Sequence, residues 1–283
     1  MTHQLITTFA LALFFGILFV TIAKRLKISP IVILLIGGIA LGPGAYRLNI
    51  IDPTLLGDGL VAIIQISVAL ILFEGGLTLD LKGYRQVSSE IRAALTRGVL
   101  ITWIGSAVVV KYIFGYPWVF AILAGSLIIV TGPTVIGPLL KRVGVHQRLN
   151  NFLHWEGVLI DPIGVFIALL CYEWIIGHDA ILLFLSRFTS GIIIGLVSGF
   201  ILARIIRKNW IPEENLNIFV LAAALGIYTL ADMLVVESGL LSVVISGFVI
   251  GTSDTPQIDR IKIYKAQLIE LLIGLLFVLL AAN

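Results

Sequence analysis

The residue whose type and position point most directly to chemistry is Asp161, in the run Trp155-Glu156-Gly157-Val158-Leu159-Ile160-Asp161-Pro162. No charged residue follows it until Glu173. If the apolar run from about 150 to 174 is a helix, Asp161 lies about eleven residues from its start, roughly 16 Å along the axis. In a membrane that is close to the midplane, where an ionised carboxylate costs about 3 kcal/mol on insertion scales. Reversible binding of a proton or a metal cation is the chemistry such a group performs. Pro162 has no N–H to give the carbonyl of Val158, so that oxygen is a further candidate ligand. The plainer reading is an Asp that only hydrogen-bonds neighbouring helices.

A second chemical stretch is Thr131-Gly132-Pro133-Thr134, followed by Gly137-Pro138. Pro133 and Pro138 leave the carbonyls of Ile129 and Thr134 without helical partners. Unpaired carbonyls in hydrocarbon persist where protein covers them or where they line a wet cavity. The expectation is a broken helix whose carbonyls, with the hydroxyls of Thr131 and Thr134, form a cation site. A proline kink satisfied by neighbouring side chains is the alternative. Glu156 lies five residues before Asp161, about 140° around a helix, so the two carboxylates do not share a face. Glu156 is expected to pair with a cation on another helix, and no Lys or Arg of the chain sits at its depth. Glu74, in Phe73-Glu74-Gly75-Gly76-Leu77, is read equally as funnel lining or as an ordinary interfacial residue.

Whatever positions these groups is a membrane fold. Of 283 residues 59% are apolar and 12% charged, against about 25% charged in soluble domains. A water-soluble fold is excluded. Ten apolar runs are long enough to cross about 30 Å of hydrocarbon as helices: 5–23, 30–46, 59–79, 94–114, 118–140, 150–174, 180–204, 215–236, 238–253 and 266–283. The first has no Lys or Arg before it and three basic residues just after it, so it reads as a retained helix rather than a signal peptide. If the runs alternate in direction, Lys24, Arg25, Lys27, Lys82, Arg85, Arg92, Arg97, Lys141, Arg142, Arg148, Arg204, Arg207, Lys208, Arg260, Lys262 and Lys265 share one side, leaving Arg47, Lys111 and Arg187 on the other. The crowded side is the cytoplasm, and the N-terminus lies outside.

A net charge of +3 without a basic run longer than two residues gives no nucleic-acid footprint. The single Cys171 excludes an internal disulfide framework. No phosphate-cradling Gly-x-x-x-x-Gly-Lys loop and no His-Glu-x-x-His occurs, which argues against an ATP-driven pump or a zinc hydrolase. The histidines, at 3, 146, 154 and 178, read as loop and helix-end residues. Trp103, Trp118, Trp155, Trp174 and Trp210 read mostly as an interfacial belt.

The chain also carries a weak internal repeat. Ile36, Gly38 and Gly42 recur as Ile245, Gly247 and Gly251 at an offset of 209, which also carries run one onto run eight and run three onto run ten. Runs two and nine point in opposite directions, so the repeat is inverted, as in many secondary transporters. Counterparts of runs four to six would fall near 303–383. With the sequence stopping at Asn283 inside an apolar run, it is expected to be part of a longer transporter.

Together these residues resemble the monovalent cation:proton antiporters of the NhaP-like sodium/proton exchanger type. The matching stretches are Phe73 to Leu77, Thr131 to Thr134, Glu156 to Pro162, and Glu237-Ser238-Gly239-Leu240-Leu241 leading to Gly247 and Gly251. The resemblance implies an all-α polytopic membrane protein of thirteen helices, about ten of them in this chain, in two inverted repeats with a discontinuous helix at run five. Repeat one then covers about 1–175, a linker helix 180–204, and the start of repeat two 215–283. It implies a homodimer in a prokaryotic inner membrane serving pH homeostasis, with no cofactor beyond the transported Na⁺ or K⁺ and H⁺, and leaves room for a soluble regulatory domain after the chain's end. Asp161 matches the ion-binding Asp, Glu156 the Glu of a structural ion pair, and Thr131 the site threonine. Departures are Gly132 where the family has Asp, Gly157 where it has Ser, and Ile160 where it has Asn, so ion selectivity does not carry over.

The expected activity is exchange of a monovalent cation for H⁺ by alternating access, not an enzymatic reaction. A passive cation channel, or another Na⁺-coupled transporter of the same fold, is the alternative. An intramembrane aspartyl protease is disfavoured, because that chemistry needs two facing aspartates. The topology has its own test: a cysteine replacing Asn209 should react with an impermeant thiol reagent only from the cytoplasmic side, and one replacing Tyr116 only from outside. Labelling of both from one side would overturn the alternation.

Overall fold

A computed structural model describes residues 2–43, 48–130, 144–177, 179–253 and 258–283, apart from the side chains of 2, 3 and 258–266. All regular structure among them is helical: α1 (Thr2–Leu26), α2 (Pro30–Leu41), α3 (Asp58–Thr78), α4 (Leu81–Ala93), α5 (Val99–Ile113), α6 (Trp118–Leu127), α7 (Gln147–Ile176), α8 (Ala180–Arg207), α9 (Glu213–Leu234), α10 (Gly239–Gly251) and α11 (Ile258–Ala282). A 3₁₀ turn at Pro53–Leu56 precedes α3, and a π-helical turn at Ala94–Gly98 joins α4 to α5. Six stretches are long and apolar enough to cross a membrane, and four shorter apolar helices lie over Pro30–Leu41, Trp118–Leu127, Gly239–Gly251 and Gln267–Ala282. Each predicted run overlaps one of the ten.

Two differences from the sequence reading have physical causes. The segment 81–93, read as a cytoplasmic loop because of its charges, is helix α4. It buries Gly83, Val87 and Ile91 on one face, a four-residue spacing that places them on a single stripe. It starts with Asp80 accepting hydrogen bonds from the N–H groups of Lys82 (3.1 Å) and Gly83 (2.9 Å), a regular N-cap. The helix breaks at Val87 (φ −135°, ψ 20°). Trp155, counted with the interfacial tryptophans, is instead buried. Its ring packs on Tyr84 and Phe248, with centroids 4.8 and 5.5 Å away, and its Nε1–H donates to the Asp80 carbonyl at 3.1 Å.

The helices sort into two packing groups. In one, α4 and α6 pack on α7 and α5 packs on α6; in the other, α10 packs on α3, α8 and α9, and α11 packs on α1, α2 and α3. Helix α10 is enclosed on all sides, and glycines let the backbones touch. A Cβ on Gly247 would stand 2.2 Å from the Phe73 carbonyl oxygen, one on Gly251 2.2 Å from that of Leu77, and one on Gly76 2.1 Å from that of Val244. Along α8, Gly191, Gly195 and Gly199 meet the Leu241, Ile245 and Val249 ridge in the same manner. Without a hydrophobic force between helices in lipid, such close van der Waals contact is what holds them together. The buried serines of α10 do not oppose it: Ser238 donates to the Ala231 carbonyl at 2.8 Å and Ser242 to that of Gly191 at 3.2 Å.

The aligned glycine pairs take reciprocal places. Gly38 and Gly42 of α2 lie against α11 at Val278–Ala282, while Gly247 and Gly251 of α10 lie against α3 at Phe73–Leu77. Gly247→Ala should therefore prevent folding or sharply lower the melting temperature in detergent, while Gly226→Ala, whose new methyl meets nothing within 4 Å, should be tolerated. Equal melting of the two variants would refute the backbone-contact account.

Candidate functional site

Helix α7 runs unbroken for 30 residues with Pro162 inside it. It is long enough to span the hydrocarbon with a turn to spare at each end. Asp161 is its fifteenth residue, so the carboxylate sits at the middle of the span, about 21 Å from either end. Gly157 and Gly164, four residues before and three after, lie on the same face and are buried. Asp161 Oδ1 is itself buried and has no hydrogen-bond partner among the described residues. A buried oxygen in that condition is costly unless a proton, a cation or a further ligand satisfies it.

Three neighbours define the surroundings. Val158, one turn toward the N-terminal end of α7, is buried and closes on Gly75 of α3, where a Cβ would come within 3.3 Å of the valine methyl. Ile160 is buried with Ile129 and Val99, packed by Leu95 and Trp103; Trp103 is fixed by donating its Nε1–H to the Ile122 carbonyl at 2.9 Å. Helix α6 ends at Leu127, capped by Ile128, and Ile129 and Val130 are non-helical. At ten residues, about 15 Å, α6 alone does not cross the membrane. Val130 abuts Gly164, where a Cβ would stand 2.3 Å from its methyl, so the non-helical end of α6 arrives beside the Asp161 segment. The helix thus stops before Ile129, and the carbonyl of Ile129 lies outside it for that reason rather than because of Pro133 alone. Thr131, Gly132, Pro133 and Thr134 lie outside the described residues, as do Gly137 and Pro138.

Val158 and Ile160 flank Asp161 on α7, the first packed on Gly75 of α3 and the second on Ile129. Glu156 is half-buried, five residues nearer the N-terminal end and on another face of α7. Glu74 is half-buried in the last turn of α3, one turn before Thr78, whose hydroxyl donates to the Gly75 carbonyl at 2.8 Å. His154, read as a helix-end residue, lies inside α7, where its Nε2 is 3.1 Å from the Thr78 hydroxyl. Among the described residues no group of three His, Cys, Asp or Glu could hold a metal ion. A lone carboxylate without His or Cys beside it suits a proton or a hard cation rather than a transition metal.

Sequence reasoning missed one pair. Glu173 in the last turn of α7 and Arg187 in α8 form an ion pair, Oε1 to guanidinium 2.5 Å, with side chains only 7% and 11% exposed. The available signal was two opposite charges, each inside an apolar run and each near its outer end.

Residues 9–283 match the family described as sodium/hydrogen exchanger, transmembrane. The chain belongs to that family. Curated relatives in it include a probable Na(+)/H(+) antiporter 2 of Methanocaldococcus jannaschii, 25% identical over 95% of this chain and 66% of its own length. The K(+)/H(+) antiporter NhaP2 of a Shewanella species is 26% identical over 85% of this chain and 42% of its own. The low-affinity Na(+)/H(+) antiporter NhaS1 of Synechocystis is 28% identical over 88% and 47%. The chain thus spans between about two-fifths and two-thirds of these relatives' lengths. Among solved structures, that of the sodium proton antiporter MjNhaP1 from Methanocaldococcus jannaschii at pH 8 superposes with a TM-score of 0.88 at 24% identity, covering 99% of this chain and 72% of that one. The fold of this exchanger-family chain is therefore the antiporter fold in an integral membrane protein.

Proposed function

We propose that this chain carries the ion-handling part of a monovalent cation/proton antiporter in which Asp161 holds either a proton or a cation, never both. The observation that carries the reading is the buried Asp161 oxygen without a hydrogen-bond partner among the described residues, at the middle of α7, flanked by two glycines and the non-helical end of α6. The activities named for the relatives, Na⁺/H⁺ and K⁺/H⁺ exchange, favour Na⁺ or K⁺ as the cation. Completing the cation's shell falls to the carbonyls of Val158 and Ile129 and the hydroxyls of Thr131 and Thr134, while Glu156 takes the structural ion-pair role. No covalent step and no cofactor is needed. Binding a monovalent cation displaces the proton because one carboxylate carries one negative charge to neutralise. Exchange then requires only that the loaded site face each side in turn while the unloaded, charged site does not cross.

The reciprocal seating of α2 on α11 and α10 on α3 supports two inverted sets of helices, repeat one over about 1–175 and the start of repeat two over 215–283, with α8 as the linker between them. A homodimer in a prokaryotic inner membrane, N-terminus outside, with a soluble regulatory domain following, belongs to the same reading. A passive channel would conduct without obligatory coupling.

Proton movement driven by a Na⁺ or K⁺ gradient in sealed vesicles tests the proposal. Asp161→Asn, which keeps size and hydrogen bonding but neither proton nor charge, should abolish exchange. Asp161→Glu should retain part of it with a displaced pH profile. Near-normal exchange by the Asn variant would remove Asp161 from the mechanism.

A further inference from the structure

The outer end of α7 carries a polar arrangement that ion binding at Asp161 does not use. Glu173 Oε1 is held by Arg187 at 2.5 Å, while its buried Oε2 has no hydrogen-bond partner among the described residues. Arg187 is fixed in turn, its Nε–H donating to the Val236 carbonyl in the α9–α10 turn at 3.0 Å. That turn is tight: Glu237 has φ 68° and donates its N–H to Asp232 Oδ1 at 2.7 Å. Asp232, Arg187 and Glu173 all lie within electrostatic reach of Glu237. A residue of the group that carries Asp161 is thus tied, through one guanidinium, to α8 and the α9–α10 turn of the other group.

The two groups hold together differently from their interiors. Within the α3, α8 and α10 assembly backbones touch at glycines, and such seams cannot slide without repacking. Across the boundary, α7 meets α3 and α10 through side chains: Val158 on Gly75, His154 on Thr78, Trp155 on Phe248. The outermost tie is the Glu173–Arg187 pair. A buried ion pair gains roughly what its desolvation costs, so parting it is inexpensive when both partners reach water and expensive when only one does. Both side chains lie near an end of the span, where water is close.

Beside the pair is the one covalent link between α7 and α8, residues 177–179. Gly177 caps α7 in the left-handed region (φ 81°) with its N–H on the Glu173 carbonyl. Glu173 therefore lies within about one turn of a pivot at Gly177, and Arg187 about two turns into α8. A change of angle there swings Asp161, twelve residues or about 18 Å further along α7 than Glu173, and turns Glu173 relative to Arg187.

We propose that Glu173 and Arg187 are positioning residues for exchange, a clamp that fixes the angle of α7 against α8 and must open for Asp161 to change its exposure. The proposal rests on the antiporter reading and adds the hinge. In a Cys171→Ala background, cysteines replacing Glu173 and Arg187 would be joined by a short, reducible bis-methanethiosulfonate reagent, and cation-driven proton flux measured in vesicles before joining, after it and after reduction. Lys24 and Glu270 serve as the control pair, since they are 2.5 Å apart but join α1 to α11 within one group.

Joining 173 to 187 should slow exchange at least about tenfold, a barrier increase of about 1.4 kcal/mol. Reduction should restore it, and joining 24 to 270 should change little. Undiminished exchange with 173 joined to 187 would overturn the clamp while leaving the antiporter reading intact, whereas absence of exchange in the unsubstituted protein would count against that reading instead. If the unjoined double-cysteine protein is inactive, the charge swap Glu173→Arg with Arg187→Glu must recover exchange lost in either single variant; failure to recover it also overturns the clamp.

Discussion

A carboxylate in the middle of an apolar helix has no water to solvate it, and the architecture around Asp161 follows from that cost. The group persists there only if something satisfies it: a proton, a cation with a partial shell of oxygens, or a neighbouring donor. Among the described residues no donor meets Asp161 Oδ1. Beside it lie the buried Gly157 and Gly164, and the methyl of Val130, just past the end of a helix that stops short, occupies the place of a Gly164 side chain. Under the proposed function a visiting ion satisfies the carboxylate, and the competition between proton and cation for one charge couples their movements.

That arrangement requires a frame that holds the surrounding helices in place. The frame comes from the other helices, where Gly76, Gly247 and Gly251 bring α3 and α10 into backbone contact and Gly16 meets Gly274 between α1 and α11. Close packing of this kind gives the assembly discrete positions rather than continuous deformation. Motion is thereby concentrated at the boundary where α7 meets α3, α8 and α10 through side chains, with a buried ion pair at one end and the Trp155 and His154 contacts nearer the other.

Much of this was legible in the residues. The apolar runs located the membrane helices because hydrocarbon admits few alternatives, and the same rule made Asp161 conspicuous. The glycine register Gly38, Gly42, Gly247 and Gly251 was visible as a pattern, but its partners were not, since nothing in a sequence says which backbone a glycine admits. Helix α4 was hidden because its charges outweigh the Gly83, Val87 and Ile91 stripe in a hydropathy reading. Trp155 and the Glu173–Arg187 pair were hidden for a related reason: an amphipathic ring or a charge near a span end is ordinary at an interface, and only the tertiary contacts show that these are buried. At run five, the sequence placed the break at Pro133, whereas α6 already ends at Leu127.

The central claim is competition of one proton and one monovalent cation for one carboxylate. Its most direct test is the apparent half-saturating cation concentration for exchange, measured across pH in sealed vesicles with and without an imposed membrane potential. On the acidic limb that concentration should rise about tenfold per pH unit, the 1.4 kcal/mol cost of displacing a proton, and level off above the site's own titration. One-for-one exchange should be insensitive to the potential. A half-saturation that stays constant over the acidic limb, or a rate that follows the potential, would show that a second group carries charge and would contradict the single-carboxylate mechanism.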